Sequence, residues 1–194
     1  MARRVGILGG TFDPPHLGHV AVGVESCFRL DLDATHMMVA NNPWQKSSSR
    51  RIAPATSRWV MTEAACAGHP LLVADDAELA RGGETYTIDT VEPLVAAGVE
   101  VFLILGDDAA ARLDTWHRCE ELADLVTVGI VARPAVTPAR LARHWRATRI
   151  ECPLLDISST EVRRRCAAGE PVDHLVGPGV LSVIEAEGLY GFGR

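Results

Sequence analysis

Short runs of hydrophobic residues alternate along this chain with longer segments whose hydrophobic residues recur at helical spacing. The short runs are rich in Val, Ile and Leu, which is typical of strands buried on both faces of a parallel sheet. The pattern predicts strands at residues 5–8, 36–40, 71–74, 101–105, 126–132 and 150–155. It predicts helices at residues 17–28, 56–67, 88–97, 118–125, 138–147, 160–168 and 178–187. Strands and helices that alternate in this way predict an α/β protein with a parallel sheet.

The composition indicates one globular domain over residues 1–194. A chain of 194 residues with 47% hydrophobic content can bury one substantial core. The net charge of -6 argues against a disordered chain and against a general polyanion binder, so we expect no nucleic acid partner. The sequence contains no run of about 20 apolar residues, so we expect no membrane partner.

The cysteines and lysines are unusual in number and placement. Five cysteines are scattered without the spacing of a zinc site, which indicates reduced thiols and a cytoplasmic protein, with no metal held by the chain itself. Of the 19 basic residues, Lys46 is the only lysine. Codon bias explains the excess of arginine, but a single lysine that survives such a bias is a candidate for a specific role.

The loop after the first predicted strand carries the first candidate site, because ligands of such sheets bind beyond the carboxyl ends of the strands. Gly9 and Gly10 permit a tight turn, and the start of the next helix offers free N–H groups to a phosphate. His16 and His19 are three residues apart, so they share one helix face, and Gly18 leaves room for a ligand between them. The spacing differs from the dinucleotide G-x-G-x-x-G pattern and no Walker lysine follows, which excludes both of those site types.

A second candidate anion site follows the last predicted strand, in the sequence ISSTEVRRR from Ile157 onwards. Ser158 and Glu161 have the spacing of a capping box that starts a helix. Three hydroxyls and three arginines at one helix start exceed what capping requires. Because Arg163 points differently from the next two arginines on a helix, not all three can face one phosphate.

The two motifs together, GGTFDPPHLGH and ISSTEVRRR, resemble the nucleotidyltransferase superfamily with the HxGH signature. Four more segments in order narrow the resemblance to the bacterial nicotinate mononucleotide adenylyltransferases. They are NPWQK at 42–46, GGETYT at 82–87, GDD at 106–108 leading to Trp116, and the ending Leu189-Tyr190. The resemblance implies a single-domain, Rossmann-like, doubly wound parallel sheet with helices on both faces. It implies transfer of AMP from ATP to nicotinate mononucleotide with Mg²⁺, by a possible homo-oligomer.

The resemblance also assigns residues to roles. The implied catalytic group, which neutralises phosphate charge, consists of His16, His19, Lys46 and Arg163. The implied ATP-binding residues are Gly9, Gly10, Thr11, Phe12, Gly18, Gly106, Asp108, Ile157, Ser158, Ser159 and Thr160. The implied nicotinate nucleotide residues are Trp44, Thr85, Tyr86, Thr87, Trp116 and Arg133.

The chain departs from the family pattern at a few positions. Ala135 stands where the family has a glycine, and the loop before Trp44 lacks its customary proline. Asp107 stands where a small uncharged residue is usual, and an extra carboxylate there would alter how the pyridine nucleotide sits. Two alternatives therefore remain open. One is another HxGH transferase, such as phosphopantetheine adenylyltransferase or a cytidylyltransferase, and the other is a nucleotide-binding regulator without turnover.

Overall fold

Six parallel strands form one sheet in the computed structural model, which describes residues 2–41, 52–132, 138–153 and 155–193. The strands are β1 (Arg4–Gly10), β2 (Ala34–Val39), β3 (Leu72–Asp75), β4 (Glu100–Gly106), β5 (Val126–Val131) and β6 (Ala147–Ile150). Their order across the sheet is β3-β2-β1-β4-β5-β6, and each neighbouring pair is parallel. This is the doubly wound order, in which the winding direction reverses between β1 and β4. The predicted Rossmann-like α/β fold is confirmed.

Helices cover both faces of the sheet, as predicted. In the described residues they are α1 (Leu17–Leu30), α2 (Ala55–Cys66), α3 (Ala77–Arg81), α4 (Thr87–Ala96), α5 (Asp107–Ala110), α6 (Cys119–Leu125), α7 (Ser159–Ala168) and α8 (Pro178–Glu187). One apolar cluster packs α1, α2, α7 and α8 against one face, around Met37 and Val39. A second cluster packs α4 and α6 against the other face, around Ile7 and Met38. None of the helices in the described ranges is long and apolar enough to cross a bilayer.

The predicted helix at residues 138–147 is wrong. The segment before β6 is instead held by bonds to other parts of the chain, because Asp107 accepts the N–H of Ala139 at 2.8 Å. The indole of Trp145 donates to Asp114 at 2.7 Å, and the carbonyl of Arg146 accepts from Val128 of β5 at 2.8 Å. These bonds replace the internal bonds that a helix would have made.

The last strand and two short helices also differ from the prediction. The strand predicted at 150–155 lies earlier, as β6 at Ala147–Ile150, and the extended pairing stops before Pro153, which cannot donate to a ladder. The helices α3 and α5 were not predicted, because five and four residues are too short to show a periodic pattern. The remaining strands and helices agree with the predicted positions to within a few residues.

The reversal between β1 and β4 fixes where a ligand fits. Chain connections leave these two strands in opposite directions, so a crevice opens beyond their carboxyl ends. The loop after β1 leads from Gly10 into α1, and α5 begins directly after β4 at Asp107. The first candidate anion loop and the GDD segment therefore lie at the two sides of this crevice.

Candidate active site

Two histidines are fixed against each other at the start of α1. His16 immediately precedes the helix, and its backbone N–H donates to Nδ1 of His19 at 3.2 Å. The two imidazole rings stack with centroids 3.7 Å apart, and the ring of Phe12 meets His19 edge-on at 5.0 Å. Because Nδ1 of His19 accepts, a neutral ring carries its proton on Nε2. The pair thus presents a defined N–H donor rather than two freely rotating rings.

Two glycines of this loop, Gly10 and Gly18, are explained by close packing against aromatic rings. A Cβ at Gly18 would lie 3.0 Å from Nδ1 of His16, and a Cβ at Gly10 would lie 2.9 Å from the ring of Phe12. Phe12 has φ of 48°, a left-handed conformation that is rare for a bulky side chain. Such conformations cluster at functional sites.

The second predicted anion motif starts α7. The hydroxyl of Ser158 accepts the N–H of Glu161 at 3.1 Å, so the N-cap bond of the predicted capping box is present, while the Glu161 carboxylate binds arginines. Arg164 and Arg165 are both bound by Glu161, and Arg164 also by Glu170, on the outer side of the helix. Arg163 instead donates to Thr160 at 3.0 Å and reaches back to the β1 loop. The prediction that the three arginines do not share one anion is confirmed.

The structure brings the two motifs together. Ser159 Oγ donates to the carbonyl of Pro14 at 2.9 Å, and Arg163 Nη1 donates to the carbonyl of Asp13 at 2.7 Å. The side chain of Asp13 is 1% exposed and accepts from the N–H of Ala53 at 3.2 Å. Stacked histidines, a helix N-terminus and a guanidinium thus form one positively polarised cluster at the carboxyl edge of the sheet.

Arg58 of α2 supports this cluster and was missed by sequence reasoning. It is 2% exposed and donates to four backbone carbonyls, those of Thr11, Ala40, Asn41 and Ala53, at 2.8–3.3 Å. Burial lowers the pKa of the Arg58 guanidinium, an effect that nearby Asp13 opposes. No local pattern marks such a residue, because three of its four partners, Thr11, Ala40 and Asn41, come from distant segments of the chain.

Tyr190 was noted only as part of the family ending, and its contact was also missed. Its hydroxyl donates to Oδ1 of Asp13 at 2.8 Å across 177 residues of chain. Burial, together with the neighbouring Asp13 carboxylate, raises the pKa of this hydroxyl far above its ordinary range. Only the fold reveals this contact.

The candidate pyridine residues lie at the start of α4 and after α5. Tyr86 immediately precedes α4, donates to Glu84, and packs its ring on His117 with centroids 4.2 Å apart. Tyr86 and Trp116 are half-buried and pack against the second apolar cluster. The hydroxyl oxygen of Thr85 is buried and has no hydrogen-bond partner among the described residues. His117 is an aromatic neighbour that the sequence reasoning did not select.

The GDD segment at the end of β4 divides into an exposed and a buried acid. Gly106 caps α5, Asp108 is exposed at the crevice, and Asp107 is 1% exposed. Asp107 binds Ala139 and also Arg149, whose Nη2 lies 3.1 Å away. This departure from the family pattern therefore anchors the segment before β6.

Several predicted positions fall outside the described residues. They are Trp44, Lys46, Arg133 and Ala135. Their expected roles stay predictions. The structure places the candidate glycines, hydroxyl residues and histidines at the carboxyl edge of the sheet. Thr87 lies there too, in the first turn of α4.

Comparison with known proteins agrees with this fold and with these motifs. The model of the cytidylyltransferase-like family matches residues 7–165. The fold and motifs thus define a nucleotidyltransferase of that class. The chain belongs to the nicotinate-nucleotide adenylyltransferase family, because curated members match nearly its whole length.

Individual relatives support the family assignment, and solved structures support the fold. The probable nicotinate-nucleotide adenylyltransferase of Corynebacterium kroppenstedtii is 38% identical over 96% of this chain and 90% of its own. The probable nicotinate-nucleotide adenylyltransferase of a Nocardioides species is 40% identical over 94% of this chain and 92% of its own. The Plasmodium falciparum nicotinic acid mononucleotide adenylyltransferase complexed with NaAD superposes with a TM-score of 0.76, at 18% identity and 98% coverage of both chains. A putative nicotinate-nucleotide adenylyltransferase from Vibrio parahaemolyticus gives 0.69 at 20% identity, over 97% of this chain and 95% of its own. At these identities the superpositions support the fold alone.

Proposed function

We propose that this protein transfers the AMP group of ATP to nicotinate mononucleotide, forming nicotinic acid adenine dinucleotide and pyrophosphate. The observation that carries the proposal is the joining of the HxGH loop to the start of α7, with Arg163 bound to the carbonyl of Asp13. Family membership supports the choice of substrates. In this proposal residues 1–194 act as one nucleotidyltransferase domain.

The reaction requires charge neutralisation rather than a general base. The phosphate of nicotinate mononucleotide is already ionised at neutral pH, and it attacks the α-phosphorus of ATP in line. The chain's task is to position both phosphates and to neutralise charge on the leaving pyrophosphate. His16, His19 and Arg163 supply donors from the two joined motifs, and Lys46 adds a compact cation in the proposed scheme.

Magnesium enters this proposal with ATP. Among the described ranges no group of three or more His, Cys, Asp or Glu side chains is placed to hold a metal ion. Apart from the exposed Asp108, the polar groups at the crevice are cations, hydroxyls and N–H groups, which fit an ion held mainly by phosphate oxygens and water. The magnesium of MgATP would reduce the phosphate charge that the protein donors must meet.

The two nucleotides are assigned to the two sides of the crevice. The glycine loop with Thr11, Phe12 and the start of α7 with Ile157 and Thr160 would bind ATP, with Gly106 and Asp108 near its ribose. Thr85, Tyr86 and Trp116 would form the pyridine pocket, where an aromatic face stacks on the pyridine ring and hydroxyls meet its carboxylate.

One assay separates the proposal from its alternatives. Pyrophosphate release from MgATP is measured with nicotinate mononucleotide, nicotinamide mononucleotide or phosphopantetheine as the acceptor. We expect release with nicotinate mononucleotide and much less with the other two. Release with phosphopantetheine would indicate a different transferase, and binding of ATP without release by any acceptor would indicate a regulator.

A further inference from the structure

A buried carboxylate lies where the two phosphate-binding motifs meet. Asp13 is 1% exposed, and Arg163 Nη1 lies 4.0 Å from its Oδ2 while donating to its backbone carbonyl. A carboxylate next to a phosphate site repels the ligand and competes for the guanidinium. A hydrogen bond to this carboxylate from elsewhere in the fold would therefore weaken its attraction for the cation.

Tyr190 supplies such a hydrogen bond from the other end of the chain. The last turn, residues 189–191, places the Tyr190 hydroxyl 2.8 Å from Oδ1 of Asp13. Tyr190 has φ of 57°, so the backbone is held in a left-handed conformation that costs free energy for a bulky residue. Because burial and Asp13 both raise the pKa of the hydroxyl, it stays protonated and donates at every physiological pH.

The side chain and the backbone of Asp13 accept hydrogen bonds from different residues. Its Oδ1 accepts from Tyr190 and from the N–H of Ala53, while its backbone carbonyl accepts from Arg163. Loss of the tyrosine hydroxyl removes a donor from a buried charge, and the carboxylate would then draw the Arg163 guanidinium closer than in their present 4.0 Å ion pair. A guanidinium neutralised by Asp13 binds phosphate more weakly.

We propose that Tyr190 is a positioning residue for AMP transfer, whose hydroxyl holds the Asp13 carboxylate so that Arg163 stays directed to the nucleotide phosphates. This inference rests on the proposed function for its kinetic test. It gives the C-terminal turn a role in the reaction, although the turn itself carries no group that touches substrate in this scheme.

The first test compares Tyr190→Phe with Phe192→Leu. Phe192 directly follows this turn, is half-buried and packs against the same apolar cluster as Tyr190, but it has no hydroxyl. We expect Tyr190→Phe to lower kcat/KM for ATP about tenfold while the KM for nicotinate mononucleotide stays within about twofold. Phe192→Leu lowers the thermal midpoint and leaves kcat/KM unchanged. Equal kinetic constants for wild type and Tyr190→Phe would overturn the proposal.

A second test asks whether Tyr190 acts through Asp13. In an Asp13→Asn background the charge that Tyr190 holds is gone, so Tyr190→Phe should cost less than about twofold there. If the two substitutions lowered kcat/KM independently, so that the loss in the double variant equalled the product of the two single losses, Tyr190 would not act through Asp13. Purely structural damage would lower the thermal midpoint without this coupling, and it would also refute the proposal.

A binding measurement keeps this inference separate from the choice of acceptor substrate. The affinity for a non-hydrolysable MgATP analogue is measured by calorimetry, which needs no acceptor. We expect Tyr190→Phe to weaken it at least threefold and Phe192→Leu to leave it unchanged. If wild type released no pyrophosphate with any acceptor, the proposed function would fail, and this binding difference would still decide the role of Tyr190.

Discussion

The two sides of the crevice are built in different ways. The proposed phosphate side comprises the loop after β1 and the start of α7, and the proposed pyridine side comprises the start of α4 and the segment after α5. On the phosphate side, Ser159 binds Pro14 across 145 residues and Tyr190 binds Asp13 across 177 residues. On the pyridine side, the hydroxyl of Tyr86 binds Glu84, two residues away. The hydroxyl of Thr85 has no hydrogen-bond partner in the part of the chain that the structure describes.

This difference matches the work that each side does in the proposed reaction. Donors that stabilise a transition state are effective when they are held in place before the substrate arrives. Long-range bonds that cross the fold provide such preorganisation at the phosphate side. A site that recognises a substrate needs polar groups that are still available to it, and Thr85 meets that requirement.

The largest effect is expected at His19, at the centre of the phosphate side. His19→Ala removes the Nε2 donor, and we expect turnover to fall about 10²- to 10³-fold, measured as pyrophosphate release. His19→Asn retains an acceptor at the position of Nδ1, which binds the N–H of His16 in the native protein. The Asn variant should therefore regain folding stability but not turnover. Near-normal turnover in either variant would remove His19 from the phosphate role.

Substitutions of Arg58 test whether this buried residue stabilises the fold beneath the phosphate side. Arg58→Met leaves four backbone carbonyls without a buried guanidinium, and we expect the free energy of unfolding to fall by about 3 kcal/mol. Arg58→Lys should recover little, because one ammonium group cannot reproduce the planar fork. The measurement is urea denaturation.

A matched control for Arg58 lies on the pyridine side. Arg118 is also multiply bonded, to Glu92 and Glu121, but its partners are exposed to solvent. Water screens such pairs, so Arg118→Met should cost far less than Arg58→Met. Equal losses for the two variants would contradict the difference between the two sides.

The sequence predicted the central strands well because they are buried runs of hydrophobic residues. It failed at β6, an edge strand in which only Ile150 is buried, so the hydrophobic signal is nearly absent. The false helix at 138–147 arose because Leu141, Ala142 and Trp145 have helical spacing. Bonds to Asp107 and Asp114 decide that segment's course, and no local pattern encodes them.

In the candidate site, too, residues in local motifs could be predicted and residues that act through long-range contacts could not. Motif residues such as His16, His19 and Ser158 could be selected because their chemistry and spacing are local. Arg58 and Tyr190 could not be selected, because each acts through partners that only the fold brings near. Sequence thus identified groups proposed to touch the substrate and missed groups that hold those groups in place.

A buried acid beneath the pyridine side gives a pH-dependent prediction. Glu78 of α3 is 9% exposed, and burial raises its pKa from 4.5 to about 7, although Arg81 and a hydrogen bond with Thr90 of α4 act to lower it. Asp75 also acts to raise it. The folded state therefore binds this proton more tightly than the unfolded state does.

That difference in proton binding fixes the sign of the stability change. Stability should fall as the pH rises from about 4.5 to about 7, because the unfolded chain ionises Glu78 first. Glu78→Gln should remove about 2 kcal/mol of this fall, seen by comparing urea denaturation of both proteins at about pH 5 and about pH 7.5. Parallel pH profiles for the two proteins would refute a strongly buried acid at this position.

The smallest effect is expected for substitution of Thr85, which tests the pyridine side most directly. Thr85→Val replaces a buried hydroxyl, unpartnered among the described residues, with a methyl group of similar volume. The free energy of unfolding should stay the same or rise by about 1 kcal/mol, because no bond within the protein is lost. The KM for nicotinate mononucleotide should rise several-fold, since a bound carboxylate would lose a donor, while kcat and the KM for ATP stay unchanged.

Thr85→Ser is the matched variant, because it retains the hydroxyl and loses only the methyl group. It should keep the wild-type KM for nicotinate mononucleotide and lose some stability from the small cavity. A wild-type KM in Thr85→Val would mean that the hydroxyl does not meet the substrate. A large loss of stability in Thr85→Val would mean that this hydroxyl has a partner within the protein, and the two sides of the crevice would then be built alike.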